Sequence, residues 1–253
     1  MELNIELLKK ETEENLNRNK YLLLMLLGSG IFGLFLFIQL APPLTESERA
    51  IIYRLPWTPQ EILELSQVLS KYTVTSYWYV FSLFCFFYLF LQSFAIPGPI
   101  VLSLISGTLF GRWTGLLIVS ICATVGSTIC YKLSDNLGKG LVIRWFPNGV
   151  VKLNKAISEQ KSGLFFYLLF LRIVPLVPNW ILNLASPIVG IPLKTFILAT
   201  LFGLAPPNFI HISTGMALSS IGDTGLSSSS LTVLILLGIL ILIPPILMRN
   251  RNK

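Results

Sequence analysis

Apolar and polar positions in this chain of 253 residues fall into long blocks rather than alternating. Tyr21 to Leu40 is an uncharged apolar run of about 20 residues, enough to cross a bilayer core as a helix. It outlasts the apolar region of a secretory signal, about 7–15 residues, and closes on Gln39, Pro42 and Pro43, so an uncleaved anchor is expected. Ser29 and Gly33 give it a small-xxx-small pair that admits a neighbouring helix. Tyr77 to Phe94, Thr114 to Tyr131, Leu193 to Leu218 and Leu231 to Met248 read as further spans. The Leu193 segment is interrupted at Pro206-Pro207 and contains His211. Five full spans would leave the termini on opposite sides, whereas the Lys/Arg bias at both ends argues for two cytoplasmic termini. Either one short segment also crosses, or the Leu193 segment breaks at Pro206.

The polar blocks are few. Residues 1–20 form a mixed-charge tail, and residues 41–76 are the one sizeable polar segment between spans. In the latter, Thr58-Pro59-Gln60-Glu61 reads as a helix start, with Thr58 as cap, proline at the first position and Glu61 closing a capping box. Ile62, Leu65, Leu69 and Tyr72 follow at helical spacing, predicting an amphipathic helix on the membrane surface or on the protein's own spans. Residues 132–161 are polar and basic. Ser120, Ala123, Thr124, Gly126 and Ser127 give the span before them a face for tight helix packing.

Two apolar segments are broken in the same way. The first runs through Pro97-Gly98-Pro99, a short helix from Ile100 to Phe110, and Gly111, then the span from Thr114. The second runs from Pro175 to Pro178, then a short helix from Trp180 to Val189, Gly190 and Pro192, then the span from Leu193. Paired broken segments predict inverted repeats, each a re-entrant helical hairpin followed by a transmembrane helix, with a site near mid-membrane. Backbone groups freed by such breaks must be buried in protein or line a wet cavity. The fold expected is therefore an all-α polytopic membrane protein with a core over residues 77–221, and a last span and basic tail over 222–253.

Polar side chains gather at these breaks. Asn179, Asn183 and Ser186 share one face of the second short helix, and Ser103 and Ser106 lie on the first. Arg172 is the one charge in the apolar run before the second break; an ion there costs a few kcal/mol, roughly, and faces a pathway or a partner. The competing role is an arginine that snorkels or caps helix-end carbonyls. His211 reads as a packed structural histidine and Asp223 as solvated.

Composition narrows the function. Charged residues are 12% and hydrophobic residues 53%, against about 25% charged in ordinary soluble domains. The net charge of +7 sits at the ends of apolar segments rather than in one basic patch with aromatics, so no nucleic-acid partner is expected. Cys85, Cys122 and Cys130 all lie within apolar stretches and read as small buried hydrophobes, not as disulfides or metal ligands. With one histidine, no paired carboxylates and no nucleotide loop, neither catalysis nor a cofactor is expected.

The segments Phe94-Ala95-Ile96-Pro97-Gly98 and Phe170-Leu171-Arg172-Ile173-Val174-Pro175-Leu176-Val177-Pro178-Asn179-Trp180 resemble the two signature breaks of the DedA/VTT family, once called SNARE-associated Golgi proteins. Ser186-Pro187-Ile188 and Gly203-Leu204-Ala205-Pro206-Pro207 are similar to its eukaryotic branch, transmembrane protein 41. The similarity covers roughly Trp57 to Ile221. It implies a phospholipid scramblase of the endoplasmic reticulum acting in autophagosome formation, lipid-droplet balance and lipoprotein export, with membrane phospholipids and autophagy or lipid-transfer proteins as partners. Bacterial relatives carry an acidic residue where this chain has Pro99, and a second arginine where it has Pro178-Asn179. Proton coupling therefore lacks its carboxylate here, and Arg172 is the charged member of the motif that carries over. The alternatives from other classes are an ion-coupled transporter of a small anion or lipid-linked substrate, and a non-transporting scaffold. The tail Arg249 to Lys253 loosely matches a dibasic retrieval signal, which points to the same compartment.

Overall fold

A computed structural model describes residues 16–158, 163–174 and 177–224, and every regular element among them is helical. The helices are α1 (Leu16–Gln39), α2 (Glu46–Ile52), α3 (Pro59–Thr75), α4 (Tyr77–Ser93), α5 (Pro99–Phe110) and α6 (Arg112–Leu133). A π-turn over Ser134–Gly138 leads to α7 (Lys139–Trp145), α8 (Pro147–Ser158), α9 (Leu164–Ile173), α10 (Asn179–Ala185) and α11 (Leu193–Thr224). Asn19–Gln39, Arg112–Trp145 and Leu193–Ser219 are long and apolar enough to cross a membrane. The segment read as a second full span is a helix of 17 residues, about 25 Å long, a little short of a hydrocarbon core. Pro175, the Leu231 span and the basic tail lie outside the described residues.

Three expectations are corrected. The helix of the third span does not stop at Tyr131: it continues through the π-turn to Trp145, with Asp135 and Lys139 paired at 2.8 Å along one face. The Leu193 segment is not interrupted at Pro206-Pro207; α11 runs through both prolines, as membrane helices can when neighbours satisfy the freed carbonyls. The second short helix ends at Ala185 rather than Val189, because Pro187 has no N–H to donate to Asn183. A turn then carries the chain to Gly190.

The chain clusters into two compact units. The first holds α1, Phe81–Pro99 and Ser120–Pro206. Within it α1 rests on α4 through Gly30 and Gly33, where an added Cβ would come to 2.5 Å from the Phe90 ring and 2.6 Å from the Phe86 ring. The small pair is thus Gly30 and Gly33; the Ser29 hydroxyl turns back to the Leu26 carbonyl. The expected small face of α6 is buried at Ser120, Ala123, Thr124 and Ser127, and Gln92 donates to the Ser127 hydroxyl at 2.8 Å. Ile143, Val150, Leu153, Leu171, Leu182 and Ala185 form one core cluster of this unit, and Tyr131, Leu168, Ile191 and Phe196 another.

The ends of the short helices are set by left-handed residues. Ala95 (φ 55°) ends α4, with the Ile96 N–H reaching back to Leu91 O at 2.9 Å. Gly190 (φ 76°) closes the turn after α10 in the same way, with the Ile191 N–H on Ser186 O at 3.0 Å. Both are Schellman caps. Gly111 (φ 77°) ends α5. Space is open around Gly111 and Gly190, so backbone conformation alone selects glycine. Gly111→Ala and Gly190→Ala should each cost about 1–2 kcal/mol in thermal unfolding in detergent. Gly28→Ala, mid-helix with open space around it, should not destabilise.

The second unit holds Pro43–Val80, Ile100–Val119 and the described part of α11 from Pro207. Its polar part is a helical hairpin, α2 and α3. The expected capping box at Thr58 and Glu61 is present, and a second, at Thr45 and Glu48, opens α2. Glu48 is buried between the helices, accepting from Lys71 Nζ at 2.6 Å, the Tyr72 hydroxyl at 2.8 Å and the Thr45 N–H at 2.9 Å. The Lys71 ammonium first, then the Thr45 N–H and the Tyr72 hydroxyl, hold its carboxyl down at about 2. A depressed carboxyl stabilises the fold above its ordinary value of 4.5, and that contribution is lost as pH falls through about 2. Amide protection factors in α2 and α3, with the intrinsic pH dependence of exchange divided out, should therefore be constant above pH 4.5 and fall between there and pH 2. Glu48→Gln should give faster exchange with that pH step removed.

Candidate functional site: a buried arginine at a helix break

Arg172 sits in the last turn of α9, where the chain leaves helical geometry at Val174. It is 4% exposed. Its Nη2 donates to Asn183 Oδ1 at 2.8 Å and its Nη1 to Asn179 Oδ1 at 3.2 Å. Helical spacing put Asn179 and Asn183 on one side of α10, and the break folds that side back onto Arg172. The guanidinium carbon also lies 4.9 Å from the Phe196 ring centroid on α11. Gly203 lets the arginine stem cross α11 closely: a Cβ there would come to 2.5 Å from Arg172 Cβ.

The electrostatics are unusual. Among the described residues the ion pairs are Arg54–Glu61, Lys71–Glu48 and Lys139–Asp135, and none includes Arg172. A full positive charge is thus held in a buried setting by two neutral amide oxygens and an aromatic face. Such hydrogen bonds offset part of the desolvation cost while leaving the net charge in place. Asn183 is 1% exposed, whereas Asn179 stands exposed at the first turn of α10. That first turn has no side-chain cap, and the Pro178 carbonyl accepts from Ile181 and Leu182.

The other expected site residues are placed as follows. Ser186 is buried, and its hydroxyl bonds back to the Leu182 carbonyl rather than to Arg172. Ser103 and Ser106 are buried on α5 in the second unit, where the Ser106 hydroxyl donates to Ser103 O at 2.8 Å. Pro97 and Gly98 (φ 142°) form the first break, and Pro99 opens α5. His211 is half-buried on α11. No cluster of metal-ligating side chains occurs among the described residues. Phe196 and Gly203 complete the arginine's surroundings. Spacing gave no sign of Phe196, while Gly203 lay within a motif already noted.

These features define a polytopic helical membrane protein with a buried arginine at a helix break that has no carboxylate partner among the described residues. Residues 96–217 match the VTT domain family. The chain is 33% identical to "Transmembrane protein 41 homolog" of Caenorhabditis elegans, over 96% of this chain and 99% of that one. It is 35% identical to "Transmembrane protein 41B" of Homo sapiens, over 89% of this chain and 78% of the relative. The Gallus gallus protein of that name is 36% identical over 88% and 83%. The chain therefore belongs to the transmembrane protein 41 family of VTT-domain membrane proteins. No solved structure matches it.

Proposed function

We propose that this protein is an ATP-independent phospholipid scramblase of the endoplasmic reticulum membrane, supporting autophagosome formation and lipid mobilisation. The observation that carries the reading is Arg172, a buried cation at a helix break with no carboxylate partner among the described residues. Moving a phospholipid headgroup across hydrocarbon costs the desolvation of its phosphate, and a planar guanidinium can hold a phosphate at two points. Asn179, exposed at the entrance, and Asn183 behind it supply polar contacts along the same path. The task needs no covalent chemistry, so the protein is not an enzyme in this reading and takes no cofactor.

The short helices α5 and α10 follow breaks at Pro97-Gly98 and Pro178 and lead to Gly111 and Gly190. This supports a pair of re-entrant hairpins in inverted repeats. Autophagy or lipid-transfer proteins are the partners such a role would serve. The test is the purified protein in liposomes with a labelled phospholipid. Equilibration between leaflets without ATP or any ion gradient is expected. Lipid movement only under an imposed proton or sodium gradient would replace this reading with coupled transport, and no movement under either condition with a scaffold.

A further inference from the structure

We propose that the tip of the α2–α3 hairpin is a membrane-interface anchor that seats in the headgroup region of the bilayer. Tyr53, Leu55 and Trp57 are 59%, 67% and 84% exposed, three large apolar side chains within five consecutive positions of an otherwise polar segment. The tip is held rigid. Glu61 accepts from the Trp57 N–H at 2.7 Å and the Thr58 N–H at 3.1 Å, and its carboxylate is also paired with Arg54. A cap that fixes the backbone of an exposed tryptophan presents that ring outward at little further entropic cost.

The bilayer is the occupant for three reasons. The far end of α3, about 25 Å away, repeats the pattern, with Val74 87% exposed in its last turn and Trp78 73% exposed in the first turn of α4. Only Ser76 separates α3 from the apolar helix α4, which tethers the hairpin to a membrane segment. Exposed Arg49 and Arg54 flank the tip, where lipid phosphates would meet them. Tryptophan and tyrosine beside arginine are the side chains that partition to the interface, with rings at headgroup depth. This anchor is independent of lipid movement and would orient the hairpin in the membrane plane.

The test keeps Trp57 as the sole tryptophan, with Trp78, Trp113, Trp145 and Trp180 replaced by phenylalanine. The full chain is reconstituted in vesicles of phosphatidylcholine and phosphatidylserine containing brominated phosphatidylcholine. Strong quenching by bromines on shallow acyl carbons, weaker quenching by deep ones and protection from acrylamide are expected. Full acrylamide quenching without bromolipid quenching would overturn the proposal in favour of an aqueous tip. Protection that depends on protein density and not on bromolipid would overturn it in favour of a second copy. Should the multiple variant fail to fold, Trp57→Cys in a background without native cysteines, labelled with an environment-sensitive dye, reads the same depth.

Discussion

Replacing Gly215 by alanine is expected to lower the detergent melting temperature by about 6–12 °C, the largest stability loss of any single methyl group in the second unit. Helices α5 and α11 approach there at backbone distance. A Cβ on Gly215 would overlap the Leu104 carbonyl oxygen, and one on Gly107 would lie 2.6 Å from Ile212 O. Carbonyl oxygens inside a helix cannot swing aside as a side-chain tip can, so the helices must separate. Overpacking of this kind costs about 1–3 kcal/mol and occasionally more. At the upper end, each kcal/mol shifts melting by about 2–4 °C in a chain of this size. In a membrane, close packing is itself the main attraction between helices, so the loss is not recovered by burying the new methyl group. Melting within a degree or so of wild type would mean that α5 and α11 do not cross so closely.

How much of this was legible in the sequence depended on range. The Thr58 capping box could be read because its signature spans four residues. The equivalent Thr45-x-x-Glu48 does not stand out in the sequence because α2, with seven residues, has too little periodicity to announce a helix. The small face of α6 could be read from composition, but the α1 pair was set one residue off: spacing alone cannot tell which glycines the Phe86 and Phe90 rings meet. Polar residues after Tyr131 looked like the end of a span, whereas the helix tolerates them along one face as far as Trp145. Pro206-Pro207 looked like an interruption and is absorbed by α11.

At the site, Arg172, Asn179 and Asn183 could be brought together by helical spacing across one short break. Phe196 could not, because its approach depends on how α11 packs on α9. Nor could spacing reveal that the arginine is as deeply buried as the core leucines around it. That burial sets the expected behaviour of Arg172→Ala. The variant leaves the Asn183 oxygen buried without its donor, so a loss of stability accompanies any loss of activity. A cleaner separation of folding from function lies in the partner residue.

Asn183→Asp should slow lipid movement about tenfold while leaving melting unchanged or raised. Aspartate has nearly the shape of asparagine and would place a carboxylate oxygen where Asn183 Oδ1 now accepts from Arg172 at 2.8 Å. The hydrogen bond becomes charge-assisted, which strengthens it, and the net charge of the site falls to zero. A lipid phosphate approaching the guanidinium would then compete with a resident anion, raising the barrier by about 1.4 kcal/mol for each tenfold loss of rate. A merely structural arginine would lose nothing by this exchange. The measurement is the decay of leaflet-restricted lipid fluorescence in liposomes, wild type and Asn183→Asp side by side at matched protein density. A clear slowing in a variant that melts at or above the wild-type temperature is the predicted result; equal rates would contradict the role assigned to the charge of Arg172.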